Sequence, residues 1–139
     1  MPQRDYVLRQ IEILGAALLA LKKKILAGRA DRTEVEEGLQ ELSGKGGMAL
    51  DLAKACTPET LRMLIAPTGE VEPGKCWLMA ETLYLDGLFQ LEAGGLDQAL
   101  DSLAKAKMLF SLLKPMGAFL AGFPEASERM TEIDGLLED

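Results

Sequence analysis

Residues 80–113 read AETLYLDGLFQLEAGGLDQALDSLAKAKMLFSLL, and this stretch decides the fold. Its first half belongs to a helical pattern from Lys75 to Ala93, with Trp77, Ala80, Tyr84, Gly87, Leu88 and Leu91 on one face. Gly94-Gly95 breaks that pattern, because consecutive glycines carry the left-handed conformations that end helices. Its second half, Leu96 to Leu113, places Leu96, Ala99, Leu100, Leu103, Ala106, Phe110 and Leu113 on one stripe. Pro115 and Gly117 close the pair. Two apolar-faced helices joined by a short glycine turn form an antiparallel hairpin. They can approach closely only where the crossing points lack bulk, at Gly87, Ala99 and Ala106.

These residues resemble the tetratricopeptide repeat, a 34-residue helical hairpin with small residues where its helices touch. Numbered from Ala80, Gly87 falls at the eighth position and Gly94 in the inter-helix turn. Asp97, Ala99-Leu100, Leu103, Lys105 and Ala106 fall in register. The window departs from the pattern at Asp86, where a large apolar residue is usual, and at Pro115, which comes three residues late. The resemblance implies an all-α fold of antiparallel hairpins and a role in binding other proteins. Such repeats often grip peptide termini with basic residues on the first helix. Here the corresponding face offers Glu81, Tyr84, Leu85, Leu88 and Glu92, so no carboxylate clamp is expected. A partly apolar groove around Tyr84, Leu85 and Leu88 is the expected partner site. It suits an amphipathic helix of another protein, the chain's own first helix, or a second copy.

Working outward, residues 3–27 carry a long helical seam of Val7, Ile11, Leu14, Leu18, Leu21 and Ile25, flanked by Leu8, Leu19 and Leu26 and stopped at Gly28. Asp31 with Glu34 resembles a capping box and opens a second helix through Val35, Leu39 and Leu42, ended by Ser43-Gly44-Lys45-Gly46-Gly47. Leu14-Gly15, Gly28, Gly38-Leu39 and Leu42 faintly echo the repeat. They fit either a degenerate second repeat or a helix that docks on the hairpin. Met48–Ala55 reads as a short helix. Thr57 then caps a helix with Pro58 at its first position, running to Ile65. Residues 66–74 form the longest loop, with Pro73 near the start of the next helix, and Gly122-Phe123-Pro124 opens a last acid-rich helix. The chain, 1–139, thus reads as one helical domain: an N-terminal hairpin at 1–47, short helices and a loop at 48–74, the repeat-like hairpin at 75–117 and a capping helix at 118–139. The order of elements from Asp5-Tyr6-Val7-Leu8 through Thr57-Pro58-Glu59-Thr60-Leu61 also loosely resembles a small bacterial family of unknown function. That likeness implies a cytoplasmic bacterial protein and brings no activity.

Composition supports the helical reading. Of 139 residues, 48% are apolar and 5% aromatic, and strong helix formers outnumber β-branched residues. This length suits one domain able to bury a core without metal or disulfide. The net charge of −7 is uneven: residues 1–32 hold seven Lys/Arg and three acids, the remainder eight and nineteen. An acidic bulk disfavours nucleic acid, whose binding rests on clustered basic residues. No histidine is present, and Cys56 and Cys76 are the only cysteines. A Cys/His zinc site within the chain and histidine-based catalysis are thereby excluded. The two thiols read as reduced intracellular residues.

The longest apolar run, Ile13–Leu21, is too short to span a bilayer and lacks a signal peptide's acid-free start, which again points to the cytoplasm. Lys22-Lys23-Lys24 beside it gives an alternative reading as a peripheral membrane or lipid-associated protein. Two acid clusters, Glu34, Glu36, Glu37 and Glu41, and Glu125, Glu128, Glu132, Asp134, Glu138 and Asp139, read as solvated faces. Asp86 lies near the apolar side of its helix, within reach of Lys75, Lys105 or Lys107, or pointing outward. An unrecognised enzyme or small-ligand binder is a further alternative centred on it. The sequence reading is a non-catalytic protein–protein interaction or scaffolding module without metal or cofactor. Self-association is expected through the Val7–Ile25 seam, giving a homodimer.

Overall fold

A computed structural model describes the backbone of residues 2–29, 31–45, 49–113 and 126–137, and the side chains of these from Ile13 onward. Seven helices and no strand occur among the described residues: α1 Pro2–Leu26, α2 Arg32–Lys45, α3 Leu50–Ala55, α4 Pro58–Ile65, α5 Pro73–Ala93, α6 Leu96–Leu113 and α7 Ala126–Leu137. The side chains of Val7, Leu8 and Ile11 lie outside the described residues. So do Gly46-Gly47, Pro115, Gly117, Gly122-Phe123-Pro124, Glu125 and Glu138-Asp139.

Local signals set most boundaries. Asp31 Oδ1 accepts from the Glu34 amide at 2.7 Å, one half of the expected capping box. Thr57 Oγ1 accepts from the Thr60 amide at 3.2 Å, and Pro58 opens α4 where its missing N–H costs nothing. Glu72, at the end of the predicted loop, caps α5 by accepting from the Gly74 and Lys75 amides. Gly94 takes φ +84° and closes α5, with the Gly95 amide returning to the Gln90 carbonyl at 2.8 Å. One boundary differs from the sequence reading: Ser43-Gly44-Lys45 continue α2 instead of ending it. Buried Ser43 donates back to the Gln40 carbonyl, so the helix carries itself past Leu42.

The central element is α5. It packs along α6 for most of its length, receives α1 and α2, and touches α3. The α6 helix also carries α7 and meets α4. At the α5–α6 crossing, a Cβ added to Gly87 would lie 2.5 Å from Leu103 Cγ, so only glycine fits there without a shift. Ala99 and Ala106 are fully buried on the facing helix. Every residue from Cys76 to Gln90 is buried, which makes α5 an interior helix on all sides and not the one-faced helix its pattern suggests. The α6 stripe is also turned from the expected one. Leu96 and Leu100 face outward, while Ser102 and Lys105 are buried beside Leu103, Leu109 and Phe110.

Candidate functional site

The expected groove around Tyr84, Leu85 and Leu88 is not an open surface. These residues are 3%, 1% and 6% exposed, because α5 is enclosed by the chain's own helices. In place of a groove, α5 presents polar side chains that neighbouring helices complete.

The first polar cluster joins α1, α5 and α7. Arg129 on α7 donates from Nε and Nη2 to the two oxygens of Glu81 at 2.7 and 3.2 Å, and from Nη1 to Glu132 at 2.9 Å. The Tyr84 hydroxyl donates to the same Glu132 oxygen at 2.7 Å. Two cations lie over the Tyr84 ring, the Arg129 guanidinium 4.7 Å and the Lys22 ammonium 5.1 Å from its centroid. The basic residues that the sequence did not place on this face thus arrive from elsewhere in the chain, already engaged.

Burial sets the protonation of this cluster. Desolvation pushes the Glu81 carboxyl above its ordinary range, and the paired Arg129 offsets only part of that. Tyr84 is raised by burial and by the hydrogen bond it donates to Glu132. Burial works against ionised Glu132, but Tyr84 and Arg129 prevail and hold it below the usual carboxylate range. Lys22 is lowered by burial and by nearby Arg129. The cluster ties α7 to α5 by charge-assisted hydrogen bonds around the buried Glu81–Arg129 pair, and α1 joins it through the Lys22–Glu132 ion pair at 3.8 Å.

The second cluster surrounds Asp86, which is buried as its place on the apolar side implied. Its partners are not Lys75, Lys105 or Lys107. Lys54 on α3 approaches Oδ1 at 3.2 Å, and Ser102 on α6 donates to Oδ2 at 2.6 Å. Buried Lys105 serves the same junction differently, donating to the Lys54 carbonyl at 2.8 Å and to Asp101 at 2.9 Å. A cleft of about 480 Å³ opens beside Asp86, lined by Glu36, Glu37, Gln40, Leu50, Asp51 and Lys54. Within it Gln40 donates to Asp51, tying α2 to α3.

The run Lys22-Lys23-Lys24 is divided by the fold. Lys22 turns inward toward Tyr84 and Glu132, and Lys24 pairs with Glu34 at 2.6 Å. Lys23 and Lys24 are exposed and Lys22 is half-buried, so the three lysines do not form one continuous patch. Of the described seam residues, Leu14, Leu18 and Ile25 are buried against the chain's own core and are not free to pair across a dimer, and Leu21 is half-buried.

The opposite side of α1 is open. Ile13, Ala16, Ala17 and Ala20 are exposed at helical spacing, flanked by exposed Leu19 and Leu26. Beside them a groove of about 390 Å³ runs between α1 and α2, lined by Ala17, Ala20, Leu21, Gly38 and Leu42. Ion pairs Lys24–Glu34 and Lys45–Glu41, at 2.6 and 3.1 Å, edge it. The sequence reading weighs the Ile13–Leu21 run only against a membrane span and a signal peptide, and places self-association on the Val7–Ile25 seam instead of this surface. The signal was nine uncharged residues in a row, more than one buried face requires.

No protein-family model, curated protein or solved structure matches the chain.

Proposed function

We propose that this chain is a non-catalytic protein–protein interaction module, a short stack of two tetratricopeptide-like hairpins working in the cytoplasm. In this reading α1 and α2 are the degenerate first repeat, α5 and α6 the second, and α7 the capping helix. The contacts of α5 with α1, α2 and α6 support the stacking order, as does the glycine-only crossing at Gly87. The buried carboxylates support a structural rather than chemical role, since Glu81 is taken up by Arg129 and Asp86 by Lys54 and Ser102.

The observation that carries the reading is the open apolar face of α1. Ile13 is 58% exposed and forms, with exposed Ala16, Ala17 and Ala20, a stripe that runs into the α1–α2 groove, while Leu19 at 41% and Leu26 at 57% stand on the flank away from that groove. Contiguous apolar surface of this kind marks interaction sites on folded proteins. The membrane alternative draws less from the same region, because Lys22 and Lys24 are held by Glu132 and Glu34.

A photo-crosslinking amino acid at Ala16 tests the reading, with one at exposed Glu59 on α4 as the control. Discrete protein adducts from position 16, lost when Ile13→Glu is added, are expected. Equal adducts from both positions, or none from position 16, would contradict it.

A further inference from the structure

We propose that the open α1–α2 face is a homodimer surface, on which a second copy of this chain seats its own α1. The proposal rests on the interaction-module reading and names its partner. It moves the contact from the Val7–Ile25 seam, whose Leu14, Leu18 and Ile25 are buried, to the outer stripe of Ile13, Ala16, Ala17 and Ala20.

An apolar run that exceeds its core-facing side leaves apolar surface to cover. From Ile13 to Leu21, α1 contains no charged residue, and the flank carrying Leu14 and Leu18 meets the core. Among the described residues nothing covers the other flank, whose Ile13, Ala16, Ala17 and Ala20 are exposed up to the charged turn at Lys23 and Lys24. Its shape fits another helix. Ala17, Ala20 and Gly38 keep the groove shallow in side-chain bulk, which permits an approach near the short end of the ~8–10 Å range of helix separations.

Charge selects the occupant. The groove edge carries two lysines and two glutamates, Lys24, Lys45, Glu34 and Glu41, arranged as two pairs. A balanced edge is self-complementary: across a two-fold axis each lysine can meet a glutamate of the other copy. An anionic lipid surface or a strongly charged peptide would gain from an edge of one sign, and this edge has none in excess. The chain's net charge of −7 is not concentrated on this edge, so it opposes contact only at longer range, where salt screens it beyond about 8 Å.

Sedimentation equilibrium of the full chain, from micromolar to near-millimolar concentration, tests the proposal. The expected mass rises toward twice 15.1 kDa. Ile13→Glu and, separately, Ala17→Glu should weaken association at least about tenfold by placing a charge in the contact. Both positions are exposed, so melting temperatures of the dilute variants should match the parent. A Cys56→Ser, Ala20→Cys chain should form a disulfide dimer under mild oxidation, whereas Cys56→Ser, Glu59→Cys should not. A mass fixed at 15.1 kDa, or a dimer indifferent to both charged variants, overturns the proposal. If the parent is monomeric while Ala16 crosslinks a different protein, the partner is wrong and the interaction reading stands. If the parent instead co-sediments with phosphatidylglycerol vesicles through Ile13, a lipid occupies the face. With neither dimer, adduct nor vesicle binding, both readings fall.

Discussion

Arg129 holds Glu81, 48 positions earlier in the chain, through two hydrogen bonds of 2.7 and 3.2 Å with both side chains almost fully buried. This pair, with Glu132 and Tyr84, is what fastens the last helix to the middle of the molecule. A buried pair is costly to break from one side, because the remaining charge is left without partner or water.

Arg129→Ala should therefore destabilise the fold by about 3–5 kcal/mol in urea titrations. Replacing both members, Glu81→Leu with Arg129→Leu, should recover most of that loss, since no lone charge remains. A single-variant cost below about 1 kcal/mol, the range of exposed pairs, would show that the pair is not buried in solution.

Gly87 and Leu103 set the spacing of α5 and α6. Gly87→Ala brings a Cβ to 2.5 Å from Leu103 Cγ and 3.4 Å from the Ala99 carbonyl oxygen. Overpacking of this kind costs about 1–3 kcal/mol, against a helix-propensity gain of about 1 kcal/mol. The net change should be a loss of stability. In a Leu103→Ala background the clash is gone, and Gly87→Ala should become neutral or stabilising. A strictly additive double-mutant cycle would place the two residues out of contact.

Tyr84 gives the fold an alkaline limit. Its phenol is raised above 10.0 by burial and by the bond to Glu132. The unfolded chain releases this proton near pH 10 while the folded chain retains it. The stabilisation is therefore complete below pH 10 and declines as pH rises beyond it, by up to about 1.4 kcal/mol per pH unit. Cys76, raised from 9.0 to about 12 chiefly by burial, adds a decline of the same sign from pH 9. Lys22, lowered below 10.5, adds one of opposite sign. Both are shared with a Tyr84→Phe chain, so the difference between the two stability–pH curves should isolate Tyr84. Parallel curves from pH 9 to 12 would contradict the account.

Much of the fold is legible in the sequence because local physics writes it there. Thr57-Pro58, Asp31 with Glu34, and Gly94-Gly95 each act within four residues, and each ends or starts a helix as its chemistry requires. What the sequence hides is long-range. Glu81 and Gln90 look like solvent positions on α5, yet both are buried once the neighbouring helices arrive, and the partners of buried Asp86 come from α3 and α6 instead of the lysines nearest in the pattern. Glu132 reads as one acid among many until Arg129 and Tyr84 select it. A faint signal existed: Arg129 is the only basic residue from Ala126 to the end of the chain. A lone cation among acids on a helix with an apolar face has a specific carboxylate to meet. The α1 surface was hidden differently: the periodic leucines mark the face that the core takes, and the small residues Ala16, Ala17 and Ala20 opposite it carry no such signal.

The central claim is that the outer face of α1 is a contact surface between two copies of the chain. Amide hydrogen exchange followed as a function of protein concentration tests it most directly. Dimer formation should slow exchange in the Ile13–Leu21 segment of α1 as concentration rises, by the extent of association, while α6 between Leu103 and Leu109 serves as the buried internal reference. Ile13→Glu should abolish the concentration dependence and leave the reference segment unchanged. Exchange in Ile13–Leu21 that is identical at micromolar and near-millimolar chain would contradict the account.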